Sequence, residues 1–303
     1  DEMTVTEQLS SKGAPCRLSQ RMLADGSLEE LPVWERQEEC GLERQKKDTL
    51  EGVMPAIRGA ERRLREERVS ENEETYCLMD VAEGKVSLDK FMDQLSDEDL
   101  IYLLGGQPNT GVANTYGMGN LPEYGVPNIM TADGPAGLRI KPECGVTTTA
   151  WPCATLLACT WDEELVEKIG AAGAKEVKEN NIGIWLTPAV NIHRSPLCGR
   201  NFEYYSEDPL VAGKMGAAMV RGIQSEHVGA SVKHFACNNK ETNRKSSDSR
   251  VSERALREIY LKAFEIIVKE SQPYTLMSSY NLVNGVQASE NKELLTDILR
   301  GEW

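Results

Sequence analysis

From about residue 86 onward, the chain alternates short apolar segments with amphipathic helical ones. The apolar segments lie at residues 126–130, 153–159, 182–192, 228–232 and 275–279. The segment at 182–192 is apolar nearly throughout, which is typical of a strand covered on both faces of a parallel sheet. The alternation predicts an α/β fold, a (β/α)8 TIM-type barrel. We count about five of the eight βα units that closure needs, so the barrel is expected to be incomplete in this chain.

Helix signals separate the apolar segments. Ser96 and Ser252 are expected N-caps, and Thr160-Trp161-Asp162-Glu163 fits a capping box that opens a helix. The clearest helix follows Ser252, where Leu256 and Phe264 belong to one apolar face. Helices of this kind are expected to cover the faces of the sheet.

Residues 1–75 differ from the rest of the chain. They are dense in charge, as at residues 61–74, and their apolar residues are sparse. This composition favours solvated helices or a connector over an independent core. We therefore divide the chain into a connector, or remnant of a preceding domain, at 1–75 and the N-terminal part of a barrel at 76–303. Since position 1 is not Met and the barrel is incomplete, we expect a piece of a longer protein.

The charge balance limits the classes of partner. With 34 basic and 48 acidic residues, the formal net charge is −14, which disfavours nucleic acids and anionic membranes. The sequence contains no run of 18 apolar residues, so it predicts no membrane-spanning helix. The eight cysteines show neither C-x-x-C nor zinc-ligand spacing, so we expect reduced thiols, no metal site and a cytoplasmic location in a bacterium. A homo-oligomer is left open.

Polar side chains follow several of the apolar segments, at the strand ends where barrel enzymes carry their sites. The clusters are Asp133 after the first segment; Asn191, His193, Arg194, Arg200, Asn201 and Glu203 from the end of 182–192 onward; Lys233, His234, Asn238, Asn239 and Glu241 after 228–232; and Ser278, Ser279, Tyr280 and Asn281 from the end of 275–279 onward. Carboxylates accept hydrogen bonds from hydroxyls and cationic groups donate to them. The clusters therefore predict a site for a polyhydroxylated ligand.

Each cluster also has a structural alternative. Asp133, which precedes Gly134-Pro135, could begin a turn. Arg200 and Glu203 could form a structural ion pair. Lys233 and His234 could be an exposed strand end.

Four segments together resemble glycoside hydrolase family 3 β-glucosidases. They are DGPAGLR at 133–139, NIHRSPLCGRNFE at 191–203 with YYSEDP directly after it, KHFACNNKE at 233–241 and MSSYN at 277–281. Their order matches the family, and the resemblance covers about residues 85–303. Residues 79–84 resemble members in which a second domain precedes the barrel, so residues 1–75 would be the end of a connector from it.

The resemblance implies a subsite for the terminal non-reducing sugar of a β-glucoside. It implies that Asp133 accepts from two sugar hydroxyls. It implies that Arg200, Lys233 and His234 donate to hydroxyls, with Arg194 nearby in support.

Three further residues take supporting places in the resemblance. Glu203 is expected to orient the basic residues instead of touching sugar. Tyr280 is expected close to the catalytic nucleophile. Met277 supports the site as part of the fifth-strand motif.

No catalytic carboxylate is expected in this chain. The family nucleophile is an Asp in a Ser-Asp-Trp segment shortly after a Gly-Glu-Trp-Gly-Phe stretch, inside which this chain stops at Trp303. The family acid/base belongs to a sandwich-like second domain. The expected partners are therefore the remainder of the barrel, that domain, and β-glucosides or cello-oligosaccharides. No cofactor is expected, because the mechanism needs only carboxylates.

The function implied is hydrolysis of terminal non-reducing β-D-glucosyl residues with retention of configuration, with this chain alone inactive. Two alternatives stay open within the family, a β-xylosidase and an N-acetylglucosaminidase. A third alternative of a different class is a sugar-binding fragment without catalysis.

One backbone feature follows from these roles. Adjacent residues of a regular strand point to opposite faces, yet Lys233 and His234 are assigned to one pocket. We therefore expect a strained or cis peptide between them.

Overall fold

The computed structural model describes residues 75–303 and two short strands before them. These strands, β1 (Gln20–Met22) and β2 (Leu28–Glu30), pair antiparallel. Apart from them and Thr75, the predicted connector at 1–75 lies outside the described residues. Among the described residues, contacts define a larger unit that includes Leu103–Asn120 and Pro127–Trp303 and a smaller unit that includes residues 75–102 and Leu121–Val126.

In its described part, the smaller unit contains three short helices, α1 (Leu78–Ala82), α2 (Leu88–Asp93) and α3 (Asp97–Leu103). The Ser96 hydroxyl accepts a hydrogen bond from the Asp99 backbone N–H at 3.2 Å, which confirms the predicted N-cap. The Phe91 and Tyr124 rings pack edge to face, with their centroids 6.5 Å apart.

The larger unit is built on a five-stranded sheet. In chain order, the strands of this part of the protein are β3 (Gly117–Leu121), β4 (Val126–Ala132), β5 (Ile184–Trp185), β6 (Gly229–Phe235), β7 (Asp248–Ser249), β8 (Thr275–Ser278), β9 (Leu282–Val283) and β10 (Val286–Gln287). The order in the main sheet is β3-β4-β5-β6-β8, and a small sheet has the order β10-β9-β7. The neighbours from β4 through β8 are parallel, so their carboxyl ends meet at one edge.

Two strand predictions need correction. Residues 153–159 contain helix α4 (Ala154–Ala158), and β3 is the remaining strand of the five. Periodicity cannot distinguish so short an apolar run, and alanine and leucine favour helix. Within 182–192 only Ile184–Trp185 forms a ladder strand, because Pro188 has no N–H to donate. The chain beyond stays buried and meets β6 at an Ala189–Lys233 bridge.

Helical segments alternate with the strands of the larger unit. They are α5 (Glu163–Glu179), α6 (Pro209–Ser225), α7 (Glu253–Ala255) with a π-helical turn after it (Leu256–Tyr260), and α8 (Lys262–Ser271), followed by a π-helical segment (Glu293–Glu302). Ser252 caps α7 as predicted, accepting from the Ala255 N–H at 3.3 Å. The cap of α5 is Asp162, which accepts from the Leu165 N–H at 2.9 Å. The predicted capping box at Thr160 is wrong, because the Thr160 hydroxyl donates to the Leu157 carbonyl.

Helices α5 and α6 approach each other closely through glycine. A Cβ built on Gly222 would lie 2.0 Å from the Glu167 carbonyl oxygen, and one on Gly170 would lie 2.7 Å from the Met219 carbonyl oxygen. The buried Ala174 of α5 and Ala218 of α6 belong to the main core cluster. In the described residues, no helix combines the length and apolar character that crossing a bilayer requires.

Candidate functional site at the carboxyl edge of the sheet

The buried ammonium group of Lys233 lies between two carboxylates. Its Nζ atom is 2.9 Å from Oδ1 of Asp133 and 3.8 Å from Oε2 of Glu203. The side chains of Lys233 and Glu203 are each only 2% exposed, whereas that of Asp133 is 33% exposed. A buried cation needs such partners because desolvation otherwise disfavours its charge. Lys233 is therefore not an exposed strand end.

Glu203 holds two cations at once. It lies in a short 3-10 turn (Asn201–Glu203), and its Oε1 accepts a hydrogen bond from Nε of Arg200. Burial opposes the charge on Arg200, but the bond and the charge of Glu203 outweigh burial and raise its pKa. Because Glu203 pairs with both Arg200 and Lys233, its position fits the expected role of orienting the basic residues.

Asp133 stands in a tight turn that directs it to this edge. Gly134 has φ of +115°, and a Cβ there would lie 1.8 Å from the Gly137 carbonyl oxygen, so only glycine fits. The backbone N–H of Asp133 donates to Oδ1 of Asn114 at 3.0 Å, and the indole of Trp185 donates to the Gly134 carbonyl at 3.1 Å. Within residues 75–303, Oδ2 of Asp133 has no hydrogen-bond partner. Asp133 can therefore both begin a turn and present a carboxylate oxygen to a ligand.

His234 joins the same cluster. The Lys233–His234 peptide is cis, as predicted. Oδ1 of Asn191 accepts from the His234 backbone N–H at 2.9 Å, and Nδ2 of Asn191 donates to the His234 carbonyl at 2.9 Å. The Asn191 amide therefore clamps the His234 backbone on both sides, and its orientation is fixed.

The His234 ring is neutral. Burial, and then the positive charges of Arg200, Lys233 and Arg244, lower the pKa of His234 to about 2. Near pH 7 one ring nitrogen therefore carries a proton and the other a lone pair.

The neighbours of the ring assign that proton to Nδ1. Oδ1 of Asn191 lies 3.3 Å from Nδ1, and the Tyr204 hydroxyl lies 3.4 Å from it. That hydroxyl donates to the Asn238 carbonyl at 3.2 Å, so it can only accept from His234. Both neighbours of Nδ1 are acceptors, and Nε2 keeps the lone pair.

A loop after β6 connects this cluster to Tyr280. The Asn238 amide donates to the Tyr204 hydroxyl at 3.1 Å and to Oε1 of Glu241 at 3.2 Å. Oε2 of Glu241 accepts from Arg244 at 3.0 Å. The Arg244 guanidinium in turn lies 5.2 Å from the centre of the Tyr280 ring.

The remaining predicted residues lie at different distances from this cluster. Met277 is the register partner of Lys233 in the β6–β8 ladder. Arg194 is exposed and makes no ion pair with another described residue; it lines a cavity of about 920 Å³ with Lys240 and Glu241. The structure therefore brings Asp133, Arg200, Glu203, Lys233 and His234 together and leaves Arg194 outside their contacts.

Sequence reasoning missed three residues that build the site: Asn114, Tyr204 and Arg244. Tyr204 lies inside a quoted motif, whereas Arg244 lies in a loop, where residue spacing carries no such signal. Asn114 is contributed by an irregular segment and carries no sequence signal. In the part of the chain that the structure describes, no group of three or more His, Cys, Asp or Glu side chains could hold a metal ion.

Relatives were found by both sequence and structure. The β-glucosidase A of Butyrivibrio fibrisolvens is 58% identical over 99% of this chain, which covers 37% of that protein. The exo-α-(1→6)-L-arabinopyranosidase of Bifidobacterium longum is 50% identical over 59% of the chain and 25% of the relative. The β-glucosidase 3B of Thermotoga neapolitana, solved with glucose, matches 71% of this chain and 32% of its own with a TM-score of 0.67 and 46% identity.

These likenesses agree with an α/β, barrel-like fold for the larger unit. The chain spans less than two fifths of the length of the curated relatives named above. The family model described as the glycosyl hydrolase family 3 N-terminal domain matches residues 118–303, more than half of the chain. The chain therefore belongs to glycosyl hydrolase family 3.

Proposed function

We propose that this chain supplies the sugar-binding subsite of a β-glucosidase that hydrolyses terminal non-reducing β-D-glucosyl residues with retention of configuration. The single observation that carries the proposal is the buried Lys233 ammonium between Asp133 and Glu203, next to a neutral His234. The family and the β-glucosidase relatives support it.

The cluster offers the mixed donors and acceptors that sugar hydroxyls require. Asp133 is partly exposed and has a free carboxylate oxygen, so it can accept from hydroxyl groups. Lys233 uses one N–H on Asp133 and keeps others for hydroxyl oxygens. Arg200 is held by Glu203 through Nε, which leaves its terminal NH₂ groups as donors.

The protonation of His234 revises one expectation. The resemblance implies that His234 donates to a hydroxyl, but its Nδ1–H faces Asn191 and Tyr204. A sugar hydroxyl would therefore donate to Nε2 of His234. A hydroxyl that donates to His234 and accepts from Lys233 is matched in both directions, which discriminates against a sugar lacking it.

The rest of the proposal concerns the longer protein. The five-stranded sheet is proposed as part of a (β/α)8 barrel, and residues 1–75 as a connector from a preceding sandwich-like domain. The nucleophile is proposed beyond Trp303 and the acid/base in that domain. A retaining mechanism places two such carboxylates about 5–5.5 Å apart.

A second candidate substrate has a specific basis. The relative from Bifidobacterium longum is named an exo-α-(1→6)-L-arabinopyranosidase. L-arabinopyranose is a pentose without the hydroxymethyl group of glucose, as is the xylose of the β-xylosidase alternative. Glucosides and pentosides can be distinguished by whether the hydroxymethyl group of glucose increases the affinity for the subsite.

The test uses the complete product of the open reading frame that encodes this chain. Matched aryl glycosides of β-D-glucose, β-D-xylose, N-acetyl-β-D-glucosamine and α-L-arabinopyranose give four values of kcat/KM. We expect the β-D-glucoside to be cleaved best, with β-glucose as the first anomer seen by proton NMR. If another glycoside is cleaved best, that glycoside replaces β-D-glucoside as the proposed substrate. Binding of glucose without turnover of any of the four supports the non-catalytic alternative.

A cytoplasmic location is part of the proposal. All cysteines in residues 75–303 are free thiols, which reducing compartments favour. Fractionation of the producing cells, with a cytosolic marker enzyme beside it, measures the location.

A further inference from the structure

The loop between β6 and α7 is closed at its base by a side chain. The hydroxyl of Ser249, near the end of the loop, donates to the carbonyl of Cys237, at its beginning, at 3.0 Å. The next residue of the loop, Asn238, donates through its amide to the Tyr204 hydroxyl, which faces Nδ1 of His234. The way in which the end of the loop is held therefore affects the geometry around His234.

A β-hairpin holds the end of this loop. Strand β9 pairs parallel with β7 and antiparallel with β10. The Leu282 N–H donates to the Ser247 carbonyl at 2.9 Å, and the Asn284 N–H donates to the Ser249 carbonyl at 3.2 Å. Asn284 and Gly285 form the turn of the hairpin with φ of +51° and +89°, as in the type I′ turn that Asn-Gly favours. The hairpin therefore has a strong local signal in the sequence, and it supplies backbone partners to the loop.

The Asn284 amide adds a side-chain clamp to these backbone bonds. Its Oδ1 accepts from the Val251 N–H at 2.9 Å, and its Nδ2 donates to the Val251 carbonyl at 3.0 Å. One side chain thus pairs with both main-chain polar groups of one loop residue. The turn itself does not require these bonds, because glycine adopts the same φ and also suits a type I′ turn. The clamp is therefore a contact with the loop that is separable from the formation of the hairpin.

We propose that Asn284 is a positioning residue of the sugar subsite: by clamping Val251 it keeps the loop after β6 closed, with Asn238 against the Tyr204 hydroxyl. The inference rests on the proposed function for its effect on the binding of a glycoside. The closed state of the loop is a property of the chain that can be measured without any substrate.

Loss of the clamp should open the loop before it unfolds the sheet. Apart from β7, the loop lies outside helices and strands, and such segments open at the lowest free energies in a protein. Two hydrogen bonds of ordinary strength correspond to a change of about 5- to 150-fold in the opening equilibrium. An open loop has to close before sugar binds, so the apparent dissociation constant rises as the closed fraction falls. Saturating substrate restores the closed state.

Amide hydrogen exchange of the complete protein measures the loop directly. The Leu282 N–H is the reporter, because its acceptor is the loop carbonyl of Ser247. Asn284→Gly removes the clamp and tolerates the positive φ, and we expect Leu282 to exchange about 5- to 150-fold faster. The matched control is Asn181→Gly, the same change at an exposed asparagine with φ of +56°. In that variant, exchange at Leu282 should stay within about twofold of the wild-type rate.

Steady-state kinetics with an aryl β-glucoside show whether the closed loop serves the subsite. For Asn284→Gly we expect KM to rise by about threefold or more, with kcat within about twofold of the wild type. Asn284→Asp keeps the acceptor for the Val251 N–H but loses the donor, so its KM should lie between the two. A substitution that only lowers the stability of the fold would reduce kcat and leave KM unchanged, because only the amount of folded enzyme would fall.

The outcomes separate the two proposals. Unchanged exchange at Leu282 in Asn284→Gly overturns the clamp, and faster exchange with an unchanged KM overturns the positioning role. In both cases the proposed function stands. A wild-type protein that cleaves no glycoside overturns the proposed function, and exchange at Leu282 then decides whether Asn284 holds the loop closed.

Discussion

The ammonium group of Lys233 lies 2.9 Å from Oδ1 of Asp133, a residue 100 positions earlier in the chain. The pair spans β4 and β6, with β5 between them in the sheet. Asp133 is thus both the exposed carboxylate of the candidate subsite and a counter-ion of a buried lysine. A substitution at Asp133 is therefore expected to affect the site, and one at the buried Lys233 is expected to affect both the site and the stability of the fold.

Asp133→Ala should abolish sugar binding. It removes a charged acceptor of two proposed hydroxyl bonds, each worth about 1.5–3 kcal/mol, so we expect kcat/KM on an aryl β-glucoside to fall by about 100-fold or more. Asp297→Ala, which removes an exposed carboxylate paired with Lys292, is the control and should retain wild-type activity. Near wild-type kcat/KM in Asp133→Ala would show that Asp133 only shapes the turn.

Glu203→Gln should destabilise the protein. The substitution keeps the shape of the side chain but removes the negative charge that compensates the buried Lys233 and the part-buried Arg200. Breaking a buried pair costs about 3–5 kcal/mol of unfolding free energy, measurable by urea denaturation. The matched change Glu164→Gln, at an exposed pair with Lys168, should leave the denaturation midpoint in place. Equal midpoints in the two variants would contradict the arrangement at Glu203.

Acid should weaken the fold through His234. The pKa of His234 in the folded protein, about 2, lies below the ordinary histidine value of 6.5. As the pH falls below 6.5, the unfolded chain therefore binds a proton that the folded chain does not bind. The contribution of His234 is therefore complete above pH 6.5 and is lost as the pH falls below it. Between pH 7.5 and pH 5 the loss is about 2 kcal/mol, since each pH unit below 6.5 is worth about 1.4 kcal/mol.

The measurement is the unfolding free energy at both pH values in wild type and in His234→Asn. The variant should lose about 2 kcal/mol less on acidification than the wild type does. His227→Asn, at an exposed residue with a positive φ that asparagine tolerates, should behave as the wild type. An equal acid loss in His234→Asn and wild type would mean that His234 is protonated in the folded protein.

Gly222→Ala should weaken the packing of α5 on α6. The added Cβ would meet the Glu167 carbonyl oxygen at 2.0 Å, and a backbone atom cannot move away as a flexible side chain can. We expect a loss of about 1–3 kcal/mol, the usual cost of overpacking. Gly301→Ala, whose Cβ would lie 3.4 Å from the Thr296 carbonyl oxygen, is the control. Indistinguishable thermal midpoints in these two variants would contradict the close approach of the helices.

The sequence predicted the polar cluster better than the elements that hold it. Asp133, Lys233 and His234 could be recognised because each follows an apolar run, and parallel strands bring their carboxyl ends to one edge. Residues 153–159 were misassigned as a strand, since a seven-residue apolar run satisfies either structure. The pairing of Glu203 with Lys233 could not be foreseen, because it depends on how residues 186–203 fold outside regular structure.

Arg244 illustrates a different limit. Its neighbours Lys245 and Lys240 are equally basic, and nothing in their order says which cation lies over an aromatic ring. Only the fixed position of Glu241, set by the buried Asn238, selects Arg244. Interactions of loop residues with one another are decided by tertiary structure and leave no periodic trace.

The Asn191 amide has a consequence for the sheet itself. The β6–β8 ladder pairs Lys233 with Met277 and Phe235 with Ser278, and it passes over His234. Two backbone groups in the middle of a buried strand would then lack partners, a costly defect. Asn191 takes both of them, so one side chain replaces a strand neighbour for a single residue. The side chain of His234 can therefore depart from the regular alternation of side chains between the two faces of the strand, while the N–H and C=O groups of that residue both stay hydrogen-bonded.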